Sequence, residues 1–116
     1  MKTILVVDDE RDLLSAVGGV LEDEGYDVVE CPDGRSALEY LGTKRPDAAL
    51  IDCMMPVMTG QELVQIVRKD PRLAGLPIIM MSAVEALELD RHEISAFLKK
   101  PFKLKRLLEL LDDLVG

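Results

Sequence analysis

No tryptophan occurs in the 116 residues, and aromatic side chains make up only 3% of them. Leu, Val, Ile, Ala and Met must therefore fill whatever core the chain builds. Hydrophobic residues still amount to 48%, too many for a disordered segment. A single histidine, His92, excludes a His-rich metal centre and lacks the partners of a hydrolytic triad. The two cysteines, Cys31 and Cys53, fit no metal or redox spacing and are expected to be free thiols. No apolar run approaches the roughly eighteen residues of a membrane span. Met1-Lys2-Thr3 and the short Ile4–Val7 run do not make a secretory signal, so a cytoplasmic location is expected. Positive charge is in the minority, with 14 Lys and Arg against 22 Asp and Glu and a net charge of −8. Such a surface repels nucleic-acid backbones and argues against direct nucleic-acid binding. Linkers, repeats and low-complexity stretches are missing too, so residues 1–116 are expected to form one domain.

What is present alternates. Ile4–Val7 is an unbroken apolar run that ends in acids, the pattern of a strand buried on both faces. Leu13, Leu14, Val17, Val20 and Leu21 then mark one face of a helix from Glu10 to Glu24, stopped by Gly25. Gly18 and Gly19 weaken that helix and suggest close packing. Asp27–Glu30 reads as a second strand. Asp33 is placed to cap a helix carrying Ala37, Leu38 and Leu41. Ala48–Ile51 predicts a third strand ending at Asp52, followed by a loop to Gly60 and a helix over 61–69 that ends at Asp70-Pro71. Ile78–Met81 predicts a fourth strand ending at Ser82, and residues 84–93 a short helix of weak periodicity. Ile94–Leu98 predicts a fifth strand. Leu104, Leu107, Leu108, Leu111, Leu114 and Val115 stripe a final helix. Strands alternating with helices imply an α/β fold with a parallel sheet covered on both faces.

Parallel sheets of this kind place their sites at the carboxyl ends of the strands. Asp8 and Asp9 end the first strand, Asp52 the third and Ser82 the fourth, and Lys100-Pro101 follows the fifth. Three carboxylates, a hydroxyl and an ammonium should therefore meet in one crevice. Three neighbouring carboxylates repel one another. A hard cation such as Mg²⁺, which takes carboxylates, waters and phosphate oxygens, offsets that repulsion. Asp52 could then attack phosphorus as a nucleophile, with Lys100 balancing charge on the oxygens. Each residue also has a plainer reading. Asp8-Asp9 could be a solvated turn, Ser82 a turn residue, Lys100 a surface lysine, and Phe97 a half-buried strand residue. Met54, Met55 and Met58 read as loop packing rather than ligands.

Four segments, Val7-Asp8-Asp9-Glu10, Asp52 through Gly60, Ser82-Ala83 and Lys99-Lys100-Pro101-Phe102, stand in order at predicted strand ends. With them the sequence resembles, over its full length, the receiver domain of bacterial two-component response regulators. The resemblance implies a flavodoxin-like doubly wound sheet of five parallel strands, order 2-1-3-4-5. It implies that Asp52 accepts a phosphoryl group from a histidine kinase or a histidine phosphotransfer protein. Mg²⁺ would be held by Asp9, Asp52 and the backbone carbonyl of Met54, with Asp8 acting mostly through water. Lys100 would contact the phosphoryl group, its bond to Pro101 being cis. Ser82 and Phe97 would be the switch pair, changing the face around the fifth strand and the last helix. The chain would be a switch rather than an enzyme, either a monomer or a phosphorylation-dependent dimer. With the first strand between the second and third, Cys31 and Cys53 stand about 9–10 Å apart at Cα, too far for a disulfide.

Two departures stand out. Lys100 follows Ser82 by only 18 positions (100 − 82), about one helical turn fewer than usual in the family. The fourth helix is therefore expected to be shortened or irregular. Met54 and Val84, two residues after Asp52 and Ser82, are apolar and cannot orient an attacking water, so slow dephosphorylation is expected. A degenerate receiver serving as a phosphate-independent scaffold is the alternative. A flavin protein on the same fold would want a glycine-rich phosphate loop after the first strand, and a dehalogenase-like phosphatase an Asp-x-Asp there. Asp8-Asp9-Glu10 matches neither.

Overall fold

A computed structural model describes residues 1–83 and 93–116. Five strands, β1 (Thr3–Val7), β2 (Asp27–Cys31), β3 (Ala48–Asp52), β4 (Ile78–Ser82) and β5 (Ala96–Lys99), form one sheet in the order β2-β1-β3-β4-β5, every pairing parallel. Among the described residues the helices are α1 (Arg11–Asp23), α2 (Gly34–Leu41), α3 (Gly60–Lys69) and α4 (Leu104–Val115). The short helix expected over 84–93 falls almost wholly outside the described residues, as do Val84 and His92.

Side chains alternate across a strand, so each strand feeds two cores. Leu5, Val7, Ala49, Ile51, Ile78 and Met80 face α2 and α3, meeting Ala37, Leu41, Leu63, Val64 and Val67. Ile4, Val6, Ala48, Leu50, Ile79 and Met81 face α1 and α4, meeting Leu14, Val17, Leu21, Leu107 and Leu111. This two-sided burial explains why β1, β3 and β4 read as unbroken apolar runs instead of alternating ones.

Local chemistry sets the helix ends. Tyr26 N–H donates to Leu21 O and Gly25 N–H to Glu22 O, both at 3.0 Å, with Gly25 at φ +93°; this is a Schellman stop. Asp33 caps α2 by accepting from Ser36 N–H at 2.7 Å, as its position predicts. Thr59 and Glu62 close a capping box on α3, which begins at Gly60 rather than Gln61. A Cβ on Gly18 would come within 2.5 Å of the Glu30 carboxylate, the movable tip of an exposed side chain that can give way. A Cβ on Gly19 would meet nothing within 4 Å, and no packing explains that glycine.

Other differences from the sequence reading lie at β5 and after α3. β5 starts at Ala96, two residues later than expected. Ser95 instead joins by its N–H to Ile78 O (2.8 Å) and by its Oγ to Ile78 N–H (3.2 Å), and Ile94 packs on the core outside the ladder. β5 also runs on to Lys99, which pairs with Ser82. A 3₁₀ helix, Pro71–Leu73, follows α3, capped by Asp70; the Asp-Pro step predicts the end of α3 but not this turn.

Candidate functional site

β1, β3 and β4 end in a short stagger: Val7 pairs with Ile51, one residue before Asp52, and Asp52 pairs with Met81, one residue before Ser82, which brings the three ends close together. Asp8 follows β1 and is fully buried; Asp52 ends β3 and is 3% exposed; Ser82 ends β4 and is fully buried. One carboxylate oxygen from each of Asp8, Asp9 and Asp52 lies within 4.8 Å of the others, with Asp9 exposed at the mouth. The adjacent Asp8-Asp9 pair works because the chain turns there. Asp8 goes inward, and Asp9 looks outward over the same spot.

Lys100 closes the cluster. Its backbone N–H donates to Ser82 O at 2.7 Å, carrying the strand register one residue past β5. Its ammonium lies 2.9 Å from Asp8 Oδ2, 3.3 Å from Glu10 Oε1 and 3.5 Å from Asp52 Oδ1. Only 12% of the side chain is exposed. Lys99, its neighbour, is exposed to solvent, so it is Lys100 that the fold brings to the acidic cluster. The Lys100–Pro101 peptide is cis.

Electrostatics follow from this crowding. Burial, then the neighbouring Asp8 charge, push the Asp52 carboxyl up to about 6, against the opposing pull of Lys100 and the Met54 backbone N–H. Burial works against the charged Lys100 ammonium, but Asp8, Asp52 and Glu10 outweigh it and hold its pKa above the ordinary lysine value. Three acids and one ammonium leave an excess of negative charge in a poorly solvated place. An all-oxygen carboxylate set of this kind suits a hard divalent cation such as Mg²⁺.

Gly60 lets the loop after β3 fold back. Its N–H donates to Cys53 O at 3.0 Å. A Cβ there would overlap the Asp52 carbonyl oxygen and come within 2.9 Å of Cys53 Cα. Between them, Met58 N–H reaches Pro56 O at 2.8 Å around Val57, whose φ is +70°. That is a tight γ-turn at a β-branched residue, a costly conformation. Met55 is buried and Met58 packs on the core, while Met54 is 62% exposed and does not share in the packing. Met54 meets Asp52 through its N–H.

A family model for the response regulator receiver domain matches residues 4–112. The chain belongs to this family. A response regulator receiver protein of Anaeromyxobacter sp. is 40% identical over 112 residues, which is 95% of this chain and 47% of that protein. Vibrio cholerae chemotaxis protein CheY4 superposes with a TM-score of 0.90 at 34% identity, covering 98% of both chains. Thermotoga maritima TrrA, solved in complex with Mg(2+)-BeF, superposes at 0.89 with 28% identity, covering 98% of this chain and 99% of its own. The receiver domain spans about half the length of the curated relatives it matches.

Other expected residues of the receiver domain fall as follows. Phe97 lies in β5 opposite Met80, half-buried against the α2–α3 core. Cys31 and Cys53 are buried and not joined in a disulfide, and β1 lies between their strands. No described helix is long and apolar enough to cross a membrane. The sequence reading missed Glu10. In the sequence it reads as the start of a helix beside two acids, and nothing in its spacing signals a contact with a lysine ninety residues away.

Proposed function

We propose that Asp52 is the phosphoacceptor of this receiver domain and that residues 1–116 work as one switching unit. The observation that carries the reading is the Lys100 ammonium lying against both Asp8 and Asp52, with Asp9 in reach of the same point. In the step, an Asp52 carboxylate oxygen attacks the phosphorus of a phosphohistidine. An O–P bond forms as the N–P bond breaks, and the imidazole leaves with the bonding pair and takes up a proton. The donor would be a histidine kinase or a phosphotransfer protein, in the cytoplasm. Asp9, Asp52 and the Met54 carbonyl would hold Mg²⁺, with Asp8 behind them. The ion supplies positive charge against the phosphoryl oxygens. Lys100 supplies the fixed charge on the protein's side, and burial keeps bulk water from screening it.

Ser82 then turns to the new phosphoryl oxygen and Phe97 moves into the space it leaves, altering the surface of β5 and α4. Half-burial of Phe97 suits a side chain with two resting places. The domain acts as a switch that assists its own modification. The Met54 side chain is apolar and cannot orient a water beside Asp52, which supports slow loss of the phosphoryl group. The intact acidic set and Lys100 oppose a phosphate-independent scaffold.

The test is incubation with acetyl phosphate, with and without Mg²⁺, read by intact mass. Wild type should gain one phosphoryl group only with the metal, and Asp52→Ala none. After donor removal the mass should persist for minutes or longer. An unchanged wild-type mass, or equal labelling of Asp52→Ala, would end the assignment.

A further inference from the structure

Glu10 is the N-cap of α1, yet its side chain caps nothing. Glutamate is a poor N-cap, and an Asp, Ser or Asn there would ordinarily accept a bond from the first turn. Glu10 instead turns its carboxylate to Lys100 at 3.3 Å. Its own N–H donates to Asp8 Oδ1 at 2.9 Å, while Asp8 Oδ2 takes Lys100 at 2.9 Å. Asp8, Glu10 and Lys100 therefore close a ring. Within it the ammonium lies nearer to Asp8 and Glu10 than to Asp52, at 3.5 Å.

A phosphoryl group on Asp52 must draw the Lys100 ammonium toward its own oxygens. Asp8 is buried and shares the acidic cluster. Glu10 is 65% exposed and its carboxylate lies outside that cluster. Its carboxylate competes for the same ammonium from the solvent side. We propose, resting on the Asp52 reading above, that Glu10 is a positioning residue that tethers Lys100 away from Asp52 and so sets how tightly the site takes a phosphoryl group. Half-exposed ion pairs are weak, so the tether tunes the site and does not lock it.

The test is Mg²⁺-saturated binding of beryllofluoride, a phosphoryl mimic, followed by amide chemical shifts in wild type, Glu10→Gln, Glu10→Asp and Lys100→Ala. Glu10→Gln should bind roughly two- to fivefold more tightly, the range of an exposed pair. Glu10→Asp keeps the charge at the helix N-terminus but is one methylene too short for Lys100, so it should also bind more tightly than wild type. In the Lys100→Ala background, Glu10→Gln should change nothing. If Glu10 served only the helix dipole, Glu10→Asp would match wild type. If it merely repelled the ligand, the Glu10→Gln gain would survive in Lys100→Ala. Either result, or equal binding by Glu10→Gln and wild type, overturns the tether while leaving the Asp52 assignment intact. Failure of wild type itself to bind beryllofluoride with Mg²⁺ would overturn both.

Discussion

Asp52 sits under opposing pressures: burial and Asp8 against ionisation, Lys100 for it. The balance leaves its folded-state pKa near 6, above the ordinary 3.8. The folded protein then holds this proton more tightly than the unfolded chain does. The favourable contribution is fully present below pH 3.8 and is lost as pH rises through about 6. At neutral pH without metal, Asp52→Asn should therefore be more stable than wild type, by on the order of 1–3 kcal/mol. That gain should shrink to nothing as the pH is lowered through this window. Thermal denaturation across pH measures it. A variant less stable than wild type at neutral pH would show that Lys100 already compensates the buried charge.

At the scale of elements, the site depends on how close α3 can come to the end of β3. Gly60 makes that approach possible, because a methyl group there would collide with backbone and not with a movable side-chain tip. Gly60→Ala should cost about 2–4 kcal/mol in urea denaturation and should displace Asp52. Gly19→Ala, with nothing within 4 Å of the new Cβ, should stabilise by about 0.5–1 kcal/mol through helix propensity. The contrast is the test, since equal effects would deny the close approach. The boundaries that sequence reading placed well, α1 at Gly25 and α2 at Asp33, have local signals. The start of β5 does not. Ile94 and Ser95 look like strand residues and even bond or pack near β4, and only the ladder itself decides where pairing begins.

Across the whole molecule, the five-stranded sheet brings residues 8, 9, 52, 82 and 100 to one end, and their charges do not balance. A divalent cation that binds only the folded state should raise stability by mass action. Millimolar Mg²⁺ is expected to raise the melting temperature of wild type by a few degrees and that of Asp9→Asn much less. An identical shift in both proteins would place the ion elsewhere.

The sequence by itself determined the alternation of elements, the two-sided burial of the strands and which acids and lysine would meet at one end of the sheet. Those are encoded locally, in apolar periodicity and in acids that follow apolar runs. It could not assign Glu10 to Lys100, start β5 at Ala96, or explain why position 60 must lack a side chain. Each of these depends on atoms brought together from distant parts of the chain, and only the packed sheet fixes their separation.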